Sequence, residues 1–431
     1  MARSAEKMLN GLQRDSFEYF FREYNPSNGL VRDNTYRKSP ASIAVVGFSL
    51  AAYVVAVERG FMSRREALSR TLAATRFFEG SPQGTDADAT GRRGFYYHFL
   101  DMEDGTRAWK CELSTIDTGL LLLGMLVARE YFSADNARER ELRERVEAVF
   151  CRVEWNWARN GALTLSHCYY RERGFSKDRW RGYDEGILLY ILGLGSPTHA
   201  LPAGSYGAWT RTYRWKSIYG YDYLYAGPLF IHQFLHSWID FRGIQDDFMR
   251  GKASDYFENS RRATYVQSEY CRRNPHGFPG YSELNWGVTA CDGPGPSARR
   301  IGGPKRRFYG YHARGVPFGP DDGTISAGAA AASLPLAPEL VLPTIDQFLA
   351  SDVGRRTPCG FAASFNTMYR NSSPLGFWRS KYNFGLNHGP LIMMIENYRS
   401  GLIWRLMRNC RPVVRGLQRA AFSGGWLRGK G

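Results

Sequence analysis

The sequence predicts an all-α fold, an (α/α)6 toroid with short β-hairpins and long loops at the cavity end. Three observations predict it. Segments that are apolar nearly all round alternate with amphipathic ones, and an apolar helix must be enclosed by other helices. Polar residues recur at the entrances of the apolar segments. No linker long enough to separate two domains is visible, so residues 1–407 read as one domain and 408–431 as a basic C-terminal tail.

The elements follow in order. Residues 12–24 place Leu12, Phe17, Phe20, Phe21 and Tyr24 on one helical face, and the NPSNG turn ends that helix. After Pro40 comes SIAVVGFSLAAYVVAVERG; its apolar run 43–57 is shorter than the roughly 20 residues of a membrane span and reads as a buried helix. Ser63 caps the amphipathic SRREALSRTLAATRFFEG. GFYYHFLDMEDGTRAW has the pattern of a β-hairpin on a helical scaffold. ELSTIDTGLLLLGMLVAREYF is the next apolar helix, with Glu112, Ser114 and Asp117 at its entrance, and ARERELRERVEAVFCRV is its outer partner. In RGYDEGILLYILGLGSPTH, Asp184 and Glu185 fall at the N-cap and first turn of a helix over 186–194. Unpaired backbone N–H groups favour a carboxylate there, and Gly195, Ser196 and Pro197 stop the helix. Helices are expected at 224–238 and 254–274, and 275–325 is rich in Gly and Pro. Helicity returns at ISAGAAAASLPLAPELVLPTIDQFLA, interrupted by Pro335 and Pro338, and closes with GPLIMMIENYRSGLIWRLM.

Composition narrows the function classes. At 43% hydrophobic and 15% aromatic the chain is globular, with many side chains able to stack on sugar or base faces. The net charge of +16 first suggests nucleic acid or an anionic surface. No long Lys/Arg run interrupts the middle of the chain, however. The conspicuous basic stretch is the tail, with Arg405, Arg408, Arg411, Arg415, Arg419, Arg428 and Lys430 and no acid among them, read as a solvated end. Nucleic acid is therefore not an expected partner, and a monomer or homodimer without a membrane span is. Seven cysteines without a CxxC pair read as reduced, mostly buried thiols. The first residues lack an apolar h-region, which places the chain in the cytoplasm as it stands, or in the periplasm if a leader has been removed.

Candidate chemistry lies at the helix entrances. These are Asp117; Asp184 and Glu185 with Tyr183; His232, Arg242 and Gln245 in and after LFIHQFLHSWIDFRGIQ; Asp292 after Trp286; and Asn387 with His388 before Pro390. In a toroid such entrances converge on one cavity. A cavity lined by carboxylates, aromatic rings, His and Arg suits a neutral polyhydroxylated ligand. Two carboxyl groups in it can act as acid and base on a glycosidic bond. No metal or cofactor is expected. His232 and His236 share a helical face but lack the intervening glutamate of a metalloprotease helix, GLGSPTH lacks the Gly-Lys-Ser/Thr ending of a phosphate loop, and no GxSxG occurs.

Nine stretches, in order over about residues 12–407, carry a resemblance: SFEYFFREYNPSNGLV, GFYYHFLDM, ELSTIDTGLLLLG, GYDEGILLYILGLGSPTH, AGPLFIHQFLHSWIDFRGIQDDFMR, DYFENSRRATYVQ, NWGVTACDGPG, DDGTISAGAAAASLPLAPE and GPLIMMIENYRSGLIW. Together they resemble the glucoamylase-like domain family, which includes bacterial endo-β-1,2-glucanases and is related to the cyclising domain of cyclic β-1,2-glucan synthases. The resemblance implies an (α/α)6 catalytic domain that hydrolyses β-1,2-glucan internally, with inversion, and releases short β-1,2-gluco-oligosaccharides. It makes Glu185 the general acid. Asp184 stands where Asn is common, and its charge is expected to raise the pKa of Glu185. FGLNHGP departs from the family's GIDQGP, so Asn387 replaces an Asp that resembles a base, and an amide does not titrate. Another carboxylate, Asp117 or Glu112, then serves as base, or the chain is a transglycosylase, or it is a glucan-binding protein with impaired catalysis.

Overall fold

A computed structural model describes residues 3–351 and 357–429. The chain is mostly helical: α1 (Arg3–Arg22), α2 (Ile43–Glu58), α3 (Arg64–Gly80), α4 (Thr115–Tyr131), α5 (Ala137–Arg152), α6 (Trp155–Ala158), α7 (Ile187–Gly195), α8 (Gly204–Thr210), α9 (Leu229–Trp238), α10 (Asp247–Gly251), α11 (Tyr256–Arg273), α12 (Ala327–Ala332), α13 (Pro338–Ala350), α14 (Gly385–Arg399), α15 (Leu402–Met407) and α16 (Arg411–Arg419). The sheets are small. β2 (Gly91–Arg92), β3 (Phe95–Tyr97), β5 (Leu113–Ser114), β6 (Cys168–Tyr170) and β7 (Gly174–Phe175) form an antiparallel sheet in that order, while β1 (Ala41–Ser42) pairs with β4 (Phe99–Leu100). β8 (Trp215–Ile218) and β9 (Tyr221–Leu224) form a hairpin, so the helix expected from residue 224 begins at Leu229 instead.

The chain divides into two compact units. One comprises Met1–Tyr19, Trp215–His236 and Phe257–Arg399; the other comprises Phe20–Arg214, Ser237–Tyr256 and Ser400–Gly431.

In the second unit α2 packs on α4, and α3 packs on α5. Every residue of α2 from Ile43 to Ala56 is buried, as its all-round apolar sequence requires. Two glycines set the α2–α4 approach. A Cβ on Gly47 would lie 2.3 Å from the Leu120 carbonyl oxygen, and one on Gly124 would lie 2.0 Å from that of Gly47. Ser42, Ser63, Ser114 and Asn136 cap α2, α3, α4 and α5, each accepting from the N–H three residues on.

The basic end of the chain is not a solvated tail. Its helix α16 lies against α7 with Val413 and Leu417 buried, close enough that a Cβ on Gly416 would meet the Ile191 carbonyl oxygen at 1.9 Å. Arg411, Arg415 and Arg419 occupy the opposite, exposed face. The arginines alternate with an apolar stripe of helical period, and that stripe needs a partner. Arg408 pairs with buried Asp240, and Trp426 donates to the Asp240 carbonyl at 2.7 Å. Lys430 lies outside the described residues.

The first unit packs α12 against α13 and α14. Pro338 opens α13, as the sequence pattern requires. Arg314 and Asp322 form a fully buried bidentate pair, with Arg314 Nε 2.7 Å and Nη2 2.9 Å from the carboxylate. All seven cysteines are free, five of them buried. No helix among the described residues is long and apolar enough to cross a membrane.

Candidate active site

Strand register assembles the site in the second unit. Tyr97 of β3 faces Leu113 of β5, so the next pair is His98 and Glu112; the His98 N–H donates to the Glu112 carbonyl at 2.9 Å. Residues paired across strands share a face. Accordingly His98 Nδ1 lies 2.9 Å from Glu112 Oε1, and its Nε2 lies 3.6 Å from Asp117 Oδ2. Asp117 belongs to the first turn of α4. There the Ser114 oxygen accepts the Asp117 N–H at 3.2 Å, and the Ser114 hydroxyl donates to Asp117 Oδ2. Asp33 joins from the turn before β1, its N–H donating to the Pro40 carbonyl at 2.9 Å and its carboxylate accepting from Asn34 at 3.0 Å.

Three carboxyl groups thus surround one imidazole. Burial alone would lower the His98 pKa, but the Asp117 charge, the hydrogen bond to Glu112 and the charges of Glu112 and Asp33 overcome it and hold the ring at about 9. His98 is an imidazolium at neutral pH. Against burial, its hydrogen bond keeps Glu112 below the usual carboxylate range. Asp33 is raised, chiefly by burial.

Asp184 and Glu185 precede α7, which begins at Ile187, one residue later than expected. They do not cap it. Asp184 Oδ1 instead accepts the Gly186 N–H and the Trp209 indole N–H, each at 3.0 Å, which fixes the turn and leaves Glu185 half-buried beside it. Burial pushes both carboxyls well above their ordinary range. For Glu185 the Asp184 charge adds to burial and the Asp117 charge adds further, against its own backbone N–H. The expected effect of Asp184 is present but second to desolvation. Glu185 is thus held towards its protonated form while Glu112 is held towards its ionised one, the separation that acid and base roles need.

The other candidates are placed differently. Tyr183 is buried against Tyr213 and Tyr256. Arg242 grips Asp240 through two 2.8 Å contacts and lies over Trp404. Gln245 donates to the Ser254 carbonyl at 2.7 Å. In the first unit, His232 is buried with Nε2 3.2 Å from the Ala226 carbonyl, and burial lowers it to about 4. Trp286 is a core residue, fully buried with its indole N–H on Thr344, so it offers no face to a ligand. Asp292 accepts from the Gly293 N–H at 2.9 Å and from the Ser380 hydroxyl at 2.8 Å. Asn387, in the first turn of α14, is half-buried, and its amide has no hydrogen-bond partner among the described residues. His388 is buried, stacked on Tyr19 at 5.3 Å, and burial lowers it to about 3.

His98 and Asp33 were not among the candidates. His98 lies within the quoted stretch GFYYHFLDM, and the signal that could have found it is its strand pairing with ELSTID. Among the described residues no group of three or more His, Cys, Asp and Glu is arranged to hold a metal ion.

Residues 177–411, more than half of the chain, match the Glycoamylase family model, described as "Putative glucoamylase". The chain belongs to the glycoamylase family. The chain is similar to an exo beta-1,2-glucooligosaccharide sophorohydrolase of Parabacteroides distasonis, 26% identical over 96% of the chain. It spans 58% of the length of that curated relative. Its fold matches an endo-beta-1,2-glucanase from Chitinophaga pinensis in complex with sophorotriose and glucose, at 26% identity and a TM-score of 0.85, covering 99% of this chain and 100% of that one. It also matches a Bacteroides uniformis structure described as a "putative glucoamylase", at 28% identity and a TM-score of 0.87, covering 99% and 100%. Glu185, Asn387 and His388 lie within the matched span; His98, Glu112 and Asp117 precede it.

Proposed function

We propose that this chain is a glycoside hydrolase that cleaves β-1,2-glucan internally with inversion and releases short β-1,2-gluco-oligosaccharides. The observation that carries the reading is a Glu185 carboxyl pushed up by burial and by the Asp184 and Asp117 charges, together with His98 set between Glu112 and Asp117. Glu185 donates its proton to the glycosidic oxygen as the bond to the anomeric carbon breaks. Asp117 accepts a proton from the water that attacks that carbon, and the Ser114 hydroxyl with the His98 imidazolium positions its carboxylate. The names of the sophorohydrolase and of the Chitinophaga enzyme support the choice of linkage. The (α/α)6 arrangement belongs to the proposal, supported by α2 and α4 as inner helices with α3 and α5 as amphipathic partners.

The test is product analysis on linear β-1,2-, β-1,3- and β-1,4-glucans with Glu185→Gln as control. Short linear oligosaccharides from β-1,2-glucan alone, abolished by the substitution, are expected. Undiminished turnover by Glu185→Gln would remove the acid from its role. A second reading is favoured by Asn387, whose amide cannot take a proton. It makes the protein a transglycosylase, identified by rings or elongated products, or a glucan binder without turnover.

A further inference from the structure

The acid–base cluster leaves unused an exposed tryptophan held on a strained turn. Residues 108–111 close a tight turn in which the Cys111 N–H donates to the Ala108 carbonyl at 3.0 Å. Both central residues are left-handed, Trp109 at φ 53° and Lys110 at φ 52°. That is the φ pattern of a type I′ turn, which strongly prefers Asn-Gly. A bulky side chain there is strained and persists only where its surroundings over-determine the backbone. They do so here. The Ala108 N–H donates to the Phe99 carbonyl at 3.0 Å, and the Phe99 N–H donates to Cys111 Sγ at 3.2 Å. Arg107 donates to the Lys110 carbonyl at 2.6 Å and the Cys111 carbonyl at 2.5 Å, itself anchored on Glu172 and over the Tyr97 ring.

The strain does not bury the indole. Trp109 is 66% exposed, the most of any large hydrophobic side chain among the described residues. It lines a cleft of about 700 Å³ with Asn25, Arg37, Lys38, Asp101 and Glu103. Inward, its ring lies 5.1 Å from that of Phe99, which stacks on His98 at 3.8 Å and 17°. A row of rings therefore runs from the cleft to the imidazolium of the acid–base cluster. A flat apolar face beside two cations, two carboxylates and an amide matches a pyranose ring, with C–H groups on one face and hydroxyls around its edge.

We propose that Trp109 and this cleft form an outlying subsite that binds one glucosyl unit of the substrate chain, away from the bond on which Glu185 acts. The proposal rests on the glucan-hydrolase reading. Its variants are Trp109→Ala, Trp109→Phe and the double substitution Trp109→Asn with Lys110→Gly. Each is compared with the wild type for kcat and KM on polymeric β-1,2-glucan and on the shortest oligosaccharide the enzyme cleaves, and for Tm. Trp109→Ala is expected to raise KM for the polymer about tenfold, the scale of one aromatic stacking contact, with kcat/KM on the shortest substrate unchanged. Trp109→Phe retains most of the polymer affinity. The double variant loses polymer affinity like Trp109→Ala, yet melts at a higher temperature because its turn is no longer strained. Equal effects on short and long substrates, no effect on either, or a double variant that melts lower overturns the subsite and assigns the tryptophan to packing. A wild type that neither binds nor cleaves β-1,2-glucan overturns the hydrolase reading together with the subsite, whereas an active wild type whose length dependence survives in Trp109→Ala overturns the subsite alone.

Discussion

Two histidines at helix entrances show opposite chemistry. His98 faces the entrance of α4 among Glu112, Asp117 and Asp33, and is held at about 9. His388 lies in the first turn of α14 against the Tyr19 ring, with Asn383 Oδ1 3.4 Å from Nε2, and is pushed down to about 3. Burial acts on both in the same direction. The difference is whether carboxylates are buried with the ring. The α4 and α7 entrances thus gather carboxyl groups around a charged ring, whereas the α14 entrance sets the amide of Asn387 beside neutral His388.

Four substitutions break or sharpen this contrast, and the largest effect falls on the charged side. Glu185→Gln is expected to lower turnover on β-1,2-glucan about 10³-fold, within the range of general-acid catalysis. It also changes the pH dependence of stability. The Glu185 pKa is raised on folding, so its contribution is full below the unfolded value near 4.5 and is lost as pH rises through the raised one. The variant does not titrate, so its Tm relative to wild type should climb with pH above 4.5. A flat difference would mean that the carboxyl is not held protonated.

His98→Gln comes next. Removing the cation leaves Glu112 and Asp117 facing each other without compensation, at a cost of about 3 kcal/mol in urea denaturation near pH 6. The His98 pKa is raised on folding, so its stabilisation is full below about 6.5 and lost as pH rises through about 9. The deficit of the variant should therefore shrink between pH 7 and 10, and a deficit constant over that range breaks the assignment.

His388→Gln should cost only about 1 kcal/mol, one modest hydrogen bond and some packing. Here the sign reverses. The pKa is depressed on folding, so wild-type stability is full above about 6.5 and declines as pH falls towards 3, and the variant should decline less. The smallest effect is expected from Asn387→Asp. With Asp117 as base, kcat should change by less than about twofold; a gain of tenfold or more would move the base to α14.

Much of the helical fold, and the carboxylates from which the candidate site is built, were legible in the sequence. The apolar patterns of 43–57 and of ELSTIDTGLLLLGMLVAREYF marked α2 and α4, and the carboxylates at the mouths of α4 and α7 marked Asp117, Glu112, Asp184 and Glu185. Two other candidates lie inside the core. Trp286 and His232 have the residue types of a sugar site but side chains enclosed by core, and enclosure is not a property of residue type. The arginine-rich end reads as solvated by its charge, yet the apolar stripe of Val413 and Leu417 buries one face of its helix.

Helical period, capping and the chemical kinds of residue at each helix mouth are local, and the sequence by itself determined them. Only the tertiary structure decided that His98 stands opposite Glu112, that Asp33 and Asp117 share its ring, and that Glu185 stays protonated beside Asp184. The reason is that a proton's affinity for a side chain depends on burial and on charges within a few ångströms. Those charges come from segments as far apart as Asp33 and Asp117, brought together by strand register and helix packing rather than by adjacency in the chain.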